Sequence, residues 1–437
     1  MRDGLPRASV LDTLALLGEV VVPTLGKGVL VRRPHVVGLA ETLGLDSRAV
    51  KRMQRLRKKY GRGPLMTAMP GRKQAVILAP EHVEQVLQGA PEPFSPATAE
   101  KRAALAHFEP KVALISTPPE RTVRRRFNEE VLEFKCPVHS MADTFLEVVA
   151  EEARAMLGKA GPELAWGDFF ETWYRIVRRI ILGRGAADDH ELTDMLAKLR
   201  GAGNWAFFHP GRPSLRERFL TRLSEHLARG EPGSLAEVIA KMPKHPDMEP
   251  VHQVPQWLFA FDPGAMASFR ALAVLATHER EAERARAEIA DRDWKDLPFV
   301  RACILDSLRL WPTTPAILRE TTRDVAFDTG TMPKNTHVMI FAPYFHRDDE
   351  NLDYAHRFHP DLWLSETPGG GWPLVPFSGG PAACPARDFV PMIGSAMMAH
   401  ILQGRRLALP RPDRLDPAKP MPGTLDNYTL KLRLSAG

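Results

Sequence analysis

The chain has 437 residues, with 59 Lys and Arg against 53 Asp and Glu, and a formal net charge of +6. Its apolar and charged fractions are typical of soluble globular proteins, and a charge this modest without a nucleic-acid-binding motif argues against a nucleic-acid partner. The three cysteines are far apart and odd in number, which argues against a disulfide framework. Three cysteines also exclude a four-cysteine zinc or iron–sulfur site. They also indicate a reducing compartment.

The N-terminal region does not predict a membrane span. Residues 10–31 are fairly apolar, but Asp12, Glu19 and Lys27 interrupt them, and a span needs roughly 20 nearly uninterrupted apolar residues. No secretory signal is visible either. We therefore expect no transmembrane segment and a cytoplasmic protein.

The first part of the chain predicts a helix, a hairpin and a second helix. Residues 46–60 are rich in Lys and Arg and predict a solvated helix. Residues 65–69 and 73–78 are apolar and flank Pro70-Gly71-Arg72, which is typical of a hairpin. A helix is expected from Pro80, because apolar residues recur at helical spacing after it.

The remainder is mostly helical until a second group of strands. Helices are predicted at 139–160, 167–183, 251–281 and 297–310. Residues 316–341 alternate as strands do, 342–383 form mostly loop, and a last apolar helix is expected from about Pro385 to Leu402. Strands and helices do not alternate, which disfavours a doubly wound parallel sheet. The predicted fold class is mainly α with small β-sheets.

The segment before the last helix carries the strongest chemical signal. A loop with Gly379, Gly380 and Pro381 ends at Cys384, and Pro385 suits the first position of a helix. A thiol at a helix N-terminus is favoured as the thiolate. The glycines would let the loop backbone approach a flat ligand closely.

The spacing of Phe377, Gly380 and Cys384 resembles the haem-ligand loop of the cytochrome P450 superfamily, in particular its soluble bacterial monooxygenases. The resemblance implies haem b, with the Cys384 thiolate as the axial iron ligand. It also implies one haem-binding domain over residues 1–437. Within it we expect a smaller β-rich lobe, about 30–90 plus 316–345, and a helical lobe carrying the haem loop at 377–386.

Two further segments resemble structural motifs of this family. Asp306 and Arg309 stand where the family has a glutamate and an arginine three residues apart, and we expect them to pair as structural residues. Leu362 stands where a second arginine usually completes a triad, so the triad is reduced to a dyad unless Arg357 substitutes.

The helix at 251–281 resembles the oxygen-activating helix of the family. Asp262 occupies its acidic position, but Pro263 replaces the threonine that normally follows. We predict both as catalytic positions. Since proline lacks an N–H and clashes with the carbonyl four residues earlier, we expect the helix to kink or open there.

Haem propionates need cationic partners, and the resemblance implies Arg121, Arg125 and Arg319 for this role. It also implies a substrate pocket. The pocket residues predicted in this way are Phe261, Gly264, Thr313, Thr314, Ala316, Ile317, Thr424 and Leu425.

The resemblance implies a monooxygenase that inserts one oxygen atom of dioxygen into a small apolar substrate. Electrons would come from NAD(P)H through a ferredoxin and its reductase, because the chain has no flavin or iron–sulfur segment, and its basic surface would suit an acidic redox partner. We expect a monomer. Two alternatives stay open: a peroxide-driven peroxygenase or a haem isomerase or dehydratase, and a haem-binding protein without turnover.

Overall fold

The computed structural model describes residues 4–365, 367 and 371–437, and its chain divides into two compact units. The first, called the sheet unit here, contains residues up to Thr98, Leu305–Cys384 and Ala418–Asp426. The second, the helical unit, contains Ala99–Ile304, Pro385–Pro417 and Asn427–Gly437. The loop predicted for the helical lobe is thus divided, with Cys384 in the sheet unit and Pro385 in the helical unit. That the whole chain is one haem-binding domain stays a prediction.

Helices dominate the described chain, and they run from α1 to α17. They are α1 (Val10–Leu16), α2 (Val22–Gly26), α3 (Pro34–Thr42), α4 (Leu45–Tyr60), α5 (Pro80–Gln88), α6 (Ala99–Leu105), α7 (Glu120–Val131), α8 (Ala142–Lys159), α9 (Trp166–Leu182), α10 (His190–Gly203), α11 (Pro213–Arg229), α12 (Leu235–Lys241), α13 (Pro250–Leu275), α14 (Glu279–Asp291), α15 (Pro298–Leu310), α16 (Ala342–His346) and α17 (Phe389–Leu402).

The strands are short. They are β1 (Leu65–Met66), β2 (Gln74–Val76), β3 (Phe94–Ser95), β4 (Glu163–Ala165), β5 (Ala316–Thr321), β6 (Val325–Phe327), β7 (Gly330–Met332), β8 (His337–Phe341), β9 (Arg405–Ala408) and β10 (Lys431–Ala436). The predicted fold class, mainly α with small sheets, is confirmed.

The sheet unit is built on a five-stranded sheet in the order β1-β2-β8-β5-β3. The predicted hairpin is confirmed, because β1 and β2 pair antiparallel with Leu65 opposite Val76. Strand β8 lies at the centre, parallel to β2 and antiparallel to β5. Its residues Val338–Phe341 are all buried, which explains why this strand is an unbroken apolar run.

The helical unit is built around α13, whose residues from Gly264 to Leu275 are all buried. This helix packs against α9 and α17, and the Trp173 indole of α9 donates a hydrogen bond of 3.0 Å to the Phe261 carbonyl. Helix α13 is long and apolar enough to cross a membrane by composition. However, 83% of its most apolar window is buried inside the protein, as in the core helix of a soluble protein.

Two predicted helix boundaries were wrong. The helix predicted over 251–281 ends at Leu275, because the side chains of Thr277 and His278 both bond to the Val274 carbonyl and form a turn before α14 begins. The last helix begins at Phe389 rather than Pro385. Pro391 has no amide for the Arg387 carbonyl, and proline is tolerated only in the first turn of a helix.

Gly264 marks the closest approach of α13 to α17. A Cβ atom added there would lie 2.4 Å from Val390 Cγ1. We expect Gly264→Ala to lower the free energy of unfolding by about 1–3 kcal/mol, because overpacking forces a tight interface apart. Urea unfolding of the purified variant measures this.

Gly158→Ala is the matched control, because Gly158 lies in α8 and, apart from its own helix, nothing lies within 4 Å of the added Cβ. Alanine there should stabilise the protein by roughly 0.5–1 kcal/mol, since it is the better helix former. Equal effects of the two substitutions would show that the α13–α17 contact is not tight.

Candidate functional site

The predicted ligand loop closes on itself and ends at the thiol. The Cys384 amide donates to the Phe377 carbonyl at 2.9 Å, and the Ala383 amide donates to the Gly380 carbonyl at 3.0 Å. Ser378 and Gly380 both adopt positive φ, at 60° and 63°. These turns fix the backbone on both sides of the loop and leave Cys384 half-buried at its end.

The glycines of this loop have a packing role. A Cβ on Gly380 would lie 2.1 Å from the Leu87 carbonyl oxygen, and one on Gly379 would lie 2.5 Å from the Trp372 ring. The loop therefore rests against the end of α5 within the sheet unit. This close contact by itself requires glycine at both positions, and the approach of a flat ligand to the loop stays a prediction.

The sequence predicted that the Cys384 thiol lies at a helix N-terminus, and this prediction is wrong. Residues Pro385–Asp388 form a turn, and α17 starts five residues after Cys384. The macrodipole of α17 therefore gives the thiolate less support than predicted, since its effect falls off within the first turn.

Arg319 lies beside the loop within the sheet unit. It is 3% exposed on β5, and its Nη2 atom donates to Ser378 Oγ at 3.1 Å. A second donor, Nη1, bonds the Leu318 carbonyl at 3.0 Å. The predicted propionate arginine is thus a buried cation next to the loop that carries the thiol.

Asp306 and Arg309 form a fully buried ion pair, each with a side chain that is 0% exposed. Arg309 Nε lies 2.6 Å from Asp306 Oδ1, and Nη2 lies 3.1 Å from Oδ2. The remaining guanidinium hydrogens go to the carbonyls of His346, Ala355 and Arg357. The predicted pairing is present, with its donors satisfied mainly by backbone.

A tryptophan compensates for the missing arginine of the triad. The Trp363 indole donates to Asp306 Oδ1 at 3.2 Å, and the His359 amide donates to Oδ2 at 2.7 Å. Arg357 does not substitute, because its guanidinium is exposed and bonds the Asp353 carbonyl. The sequence analysis did not identify Trp363, although it directly follows Leu362, the residue that replaces the arginine of the family.

The ion pair is linked to the ligand loop through His346. Arg309 donates to the His346 carbonyl, and His346 Nε2 accepts the Val375 amide at 3.0 Å. Burial, followed by the positive charge of Arg309, lowers the pKa of His346 to about 3. The ring is therefore neutral at physiological pH and can act as the acceptor just before the loop.

Asp262 lies in a buried polar network of the helical unit. Its carboxylate oxygens bond Arg200 Nη1 at 2.8 Å and the Tyr174 hydroxyl at 2.5 Å. Burial and then the Asp262 charge raise the pKa of Tyr174 well above its usual range, so its hydroxyl stays neutral and donates. Tyr174 and Arg200 come from α9 and α10, and nothing in the sequence around Asp262 identified them.

Arg121 and Arg125 share one face of α7. Arg121 is 6% exposed and donates to the Ala113 carbonyl, while Arg125 pairs with Glu129 at 2.7 Å. Burial and then repulsion by Arg125 lower the pKa of Arg121 to about 10. An anionic group beside both side chains would relieve this repulsion.

The comparisons with known proteins decide the family. The cytochrome P450 family model matches residues 32–229 and 241–430. The chain belongs to the cytochrome P450 family.

The curated relatives match parts of the chain. Cytochrome P450 4c3 of Drosophila melanogaster is 31% identical over 110 residues, covering 25% of this chain and 21% of that protein. The probable (S)-N-methylcoclaurine 3'-hydroxylase isozyme 2 of Coptis japonica is 28% identical over 127 residues, which is 28% of this chain and 26% of that protein. The matched segments thus span about a quarter of these relatives' length.

Solved structures match the fold over most of the chain. Retinoic acid-bound cyanobacterial CYP120A1 gives a TM-score of 0.69 at 17% identity, covering 88% of this chain and 94% of that one. The cytochrome P450DA haem domain gives 0.67 at 16% identity, with 89% and 93% covered. Identities this low show the P450 fold alone.

The family implies a haem, and the chain's donors fit one. The sheet unit offers one half-buried thiol at the end of a closed loop and one buried arginine beside it. The helical unit offers Arg121 and Arg125 on one face of α7. Within the sheet unit, the sulfur suits an iron ligand and the buried guanidinium suits a carboxylate. Within the helical unit, the two arginines suit a carboxylate. These assignments stay predictions.

Within the P450 helix α13, two predicted pocket residues face other helices. The Phe261 ring packs against Trp173 and Phe389, and the missing Cβ of Gly264 would point at Val390. Phe259 lies elsewhere on the helix and packs against Phe108. Phe261 and Gly264 therefore hold the core of the helical unit, because residues three apart share a helix face.

Helix α13 continues through Pro263, so the expected opening of the helix is absent. The proline still removes one amide, which leaves the Phe259 carbonyl without its usual helical partner. Pro263 itself is half-buried. Only the expected opening of the helix is wrong, whereas a kink at Pro263 and the effect of its missing hydroxyl stay predictions.

The other predicted pocket positions all lie in the sheet unit, and their surroundings differ. Ala316 and Ile317 pack on its apolar core, and Leu425 is 0% exposed. The Thr313 carbonyl accepts from Arg32, Thr314 is exposed, and the Thr424 hydroxyl donates to Asp46 at 2.5 Å. Contacts inside the unit therefore already engage most of these residues.

Arg309→Ala should destabilise the P450 by about 3–5 kcal/mol, because it leaves Asp306 buried and unpaired. Little folded, haem-loaded protein should be recovered. Arg357→Ala is the control, since its side chain is 65% exposed and should cost less than about 0.5 kcal/mol. Recovery of Arg309→Ala with normal stability and haem content would contradict this role.

Replacing Cys384 with Ser should abolish the strongly red-shifted Soret band of the ferrous–CO complex, because that band requires a thiolate ligand. The measurement is a reduced CO-difference spectrum of purified protein. Cys136→Ser and Cys303→Ser are the controls and should retain the band. Survival of the band in Cys384→Ser would overturn the ligand assignment.

Proposed function

We propose that this P450 is a haem b-dependent monooxygenase that inserts one oxygen atom of dioxygen into a small apolar substrate. The observation that carries the proposal is the closed loop from Phe377 to Cys384, in a chain whose match to the family extends over residues 32–229 and 241–430. The experiment is turnover with NAD(P)H and a ferredoxin–reductase pair, with the product identified by mass spectrometry.

Bound haem supplies dioxygen activation, and its thiolate ligand favours cleavage of the O–O bond. The chain's own residues provide the setting. The hydrogen bond from the Cys384 amide to the Phe377 carbonyl holds the backbone that presents the sulfur. Arg319, held by Ser378 Oγ, would bind a propionate, and Arg121 and Arg125 would bind the other.

Proton delivery is the step for which this chain departs from its family. Pro263 offers no hydroxyl, and Asp262 is held by the Arg200 guanidinium and the Tyr174 hydroxyl. To pass a proton, the Asp262 carboxylate must exchange one of these two donors for water. We propose that it does so by releasing Tyr174, since a neutral donor is lost at less cost than an ion pair.

Electrons would come from NAD(P)H through separate ferredoxin and reductase proteins. The basic balance of the chain would favour an acidic partner of this kind. We also propose that the enzyme is cytoplasmic and monomeric. The three cysteines lie far apart in the sequence, which suits a reducing compartment.

Peroxide-driven oxygenation is the second candidate, and one observation favours it. Pro263 lacks the family's hydroxyl, while Asp262 is fixed in an ion pair. Hydrogen peroxide is dioxygen that already carries two electrons and two protons, so a peroxide-driven enzyme needs neither an electron donor nor the same delivery of protons. A haem isomerase or dehydratase would need neither the missing hydroxyl nor proton delivery to bound oxygen.

Asp262→Asn should slow NAD(P)H-supported turnover by ~10²-fold or more, the usual scale for a positioned acid–base group. Tyr174→Phe is the matched control, because it removes one hydrogen bond to Asp262 and keeps the carboxylate. It should slow turnover far less. Haem content and thermal unfolding of both variants separate a chemical effect from loss of folding. Parental turnover in Asp262→Asn would contradict proton relay.

Pro263→Thr should fold normally, because α13 is already continuous there and threonine restores an amide for the Phe259 carbonyl. The added hydroxyl should raise the amount of product formed per NAD(P)H consumed and lower peroxide release. The same assay with peroxide in place of NAD(P)H separates the two candidates. If peroxide supports no product in the parent enzyme, the peroxygenase candidate fails.

A further inference from the structure

Glu109 is a buried carboxyl group with no role in the chemistry described above. Its side chain is 0% exposed, and neither carboxyl oxygen has a hydrogen-bond partner among the residues that the structure describes. Its backbone, in contrast, is fixed. The Glu109 amide donates to the Leu105 carbonyl at 2.8 Å, and the Glu109 carbonyl accepts from Val112 at 3.1 Å.

The segment around Glu109 is held against α13 inside the helical unit. The Gln253 side chain accepts the Ala113 amide at 2.9 Å and donates to the Lys111 carbonyl at 2.9 Å. The preceding residue, Phe108, packs edge-on against the Phe259 ring, with centroids 5.7 Å apart. Glu109 is therefore ordered beside the helix that carries Asp262 and Pro263.

The positive charge of Arg200 lies near Glu109, but Arg200 already forms an ion pair with another acid. Its guanidinium lies 4.5 Å from the centroid of the Phe259 ring and forms an ion pair with Asp262. Burial raises the pKa of Glu109 well above its ordinary value, and Arg200 opposes this rise only in part. A buried carboxyl that lacks hydrogen-bond donors is held in its neutral, protonated form.

A neutral carboxyl can donate one hydrogen bond and accept another. Buried polar atoms are nearly always satisfied by protein or by a bound molecule, so a buried carboxyl without a protein partner is available to water or to a ligand. The ring of the preceding residue, Phe108, packs against Phe259 of α13, so apolar surface lies next to this segment. A ligand that would satisfy this carboxyl is therefore an apolar molecule with one uncharged oxygen atom.

We propose that Glu109 is a specificity residue that donates a hydrogen bond to a carbonyl or hydroxyl oxygen of an otherwise apolar substrate. The proposal rests on the proposed function and narrows its substrate class to ketones and alcohols. A cationic amine is disfavoured, because a neutral acid offers it no charge and Arg200 repels it.

The first experiment asks whether the acid is protonated, and it needs no ligand. Infrared difference spectra at pH 7 between the haem-loaded parent and Glu109→Gln should contain the C=O stretch of a protonated carboxylic acid. Glutamine is nearly isosteric with glutamate, so the difference isolates this group. A carboxylate band in its place would overturn the proposal.

The second experiment measures binding of cyclododecanone, cyclododecanol, cyclododecylamine and cyclododecane, which share one carbon skeleton. Calorimetry on the ferric enzyme, without reductant, should give tighter binding of the ketone or alcohol than of the hydrocarbon. Glu109→Leu should reduce this preference by roughly tenfold, the value of one buried hydrogen bond. It should leave cyclododecane binding unchanged.

Because no turnover is involved, these binding results are independent of the monooxygenase and peroxygenase candidates. Absence of an oxygen preference in the parent, or the same preference in Glu109→Leu, would overturn the recognition role and leave Glu109 bonded to internal water only. Tightest binding of the amine would overturn it as well. Thermal unfolding of Glu109→Leu without ligand should shift up by about 2–4 °C, because an unpartnered polar group is removed.

Discussion

The buried ion pair between Asp306 and Arg309 is the interaction on which the sheet unit depends. Two charges with no solvent contact are stable only if every donor and acceptor is used. Here three carbonyls, one amide and one indole complete the pair. Because these partners come from residues 346–363, the pair orders the long irregular stretch before the ligand loop. The His346 ring then accepts a hydrogen bond from the Val375 amide, which fixes the backbone just before the ligand loop.

Arg200 is the corresponding buried cation of the helical unit, but it acts on two carboxyl groups instead of one. One guanidinium pairs with the Asp262 carboxylate and also influences the Glu109 carboxyl. The two acids have different surroundings, since Asp262 forms a salt bridge with Arg200 whereas burial raises the pKa of Glu109 well above its ordinary value. The Arg200 guanidinium therefore pairs directly with the Asp262 carboxylate and opposes only in part the effect of burial on Glu109.

Local patterns in the sequence predicted the features that depend on neighbouring residues. The hairpin at Pro70-Gly71-Arg72, the Asp306–Arg309 pair and the loop ending at Cys384 were all readable, because turn residues and short spacings determine them. The residues that complete each site could not be predicted from the sequence. Trp363, Tyr174 and Arg200 reach their carboxylates across 57, 88 and 62 residues of sequence, respectively. Helical periodicity also failed to tell which face of α13 carries Phe261 and Gly264, because the helix is apolar on nearly all sides.

The parallel pairing of β2 with β8 has a consequence for how the protein folds. Gln74 lies opposite His337, more than 260 residues later in the chain. During synthesis the β1–β2 hairpin therefore emerges long before the strand that covers its inner edge. Closing so long a loop is slow, and an apolar edge exposed meanwhile invites pairing with other chains. The N-terminal third of this protein should accordingly depend on chaperones in the cell until β8 has been translated.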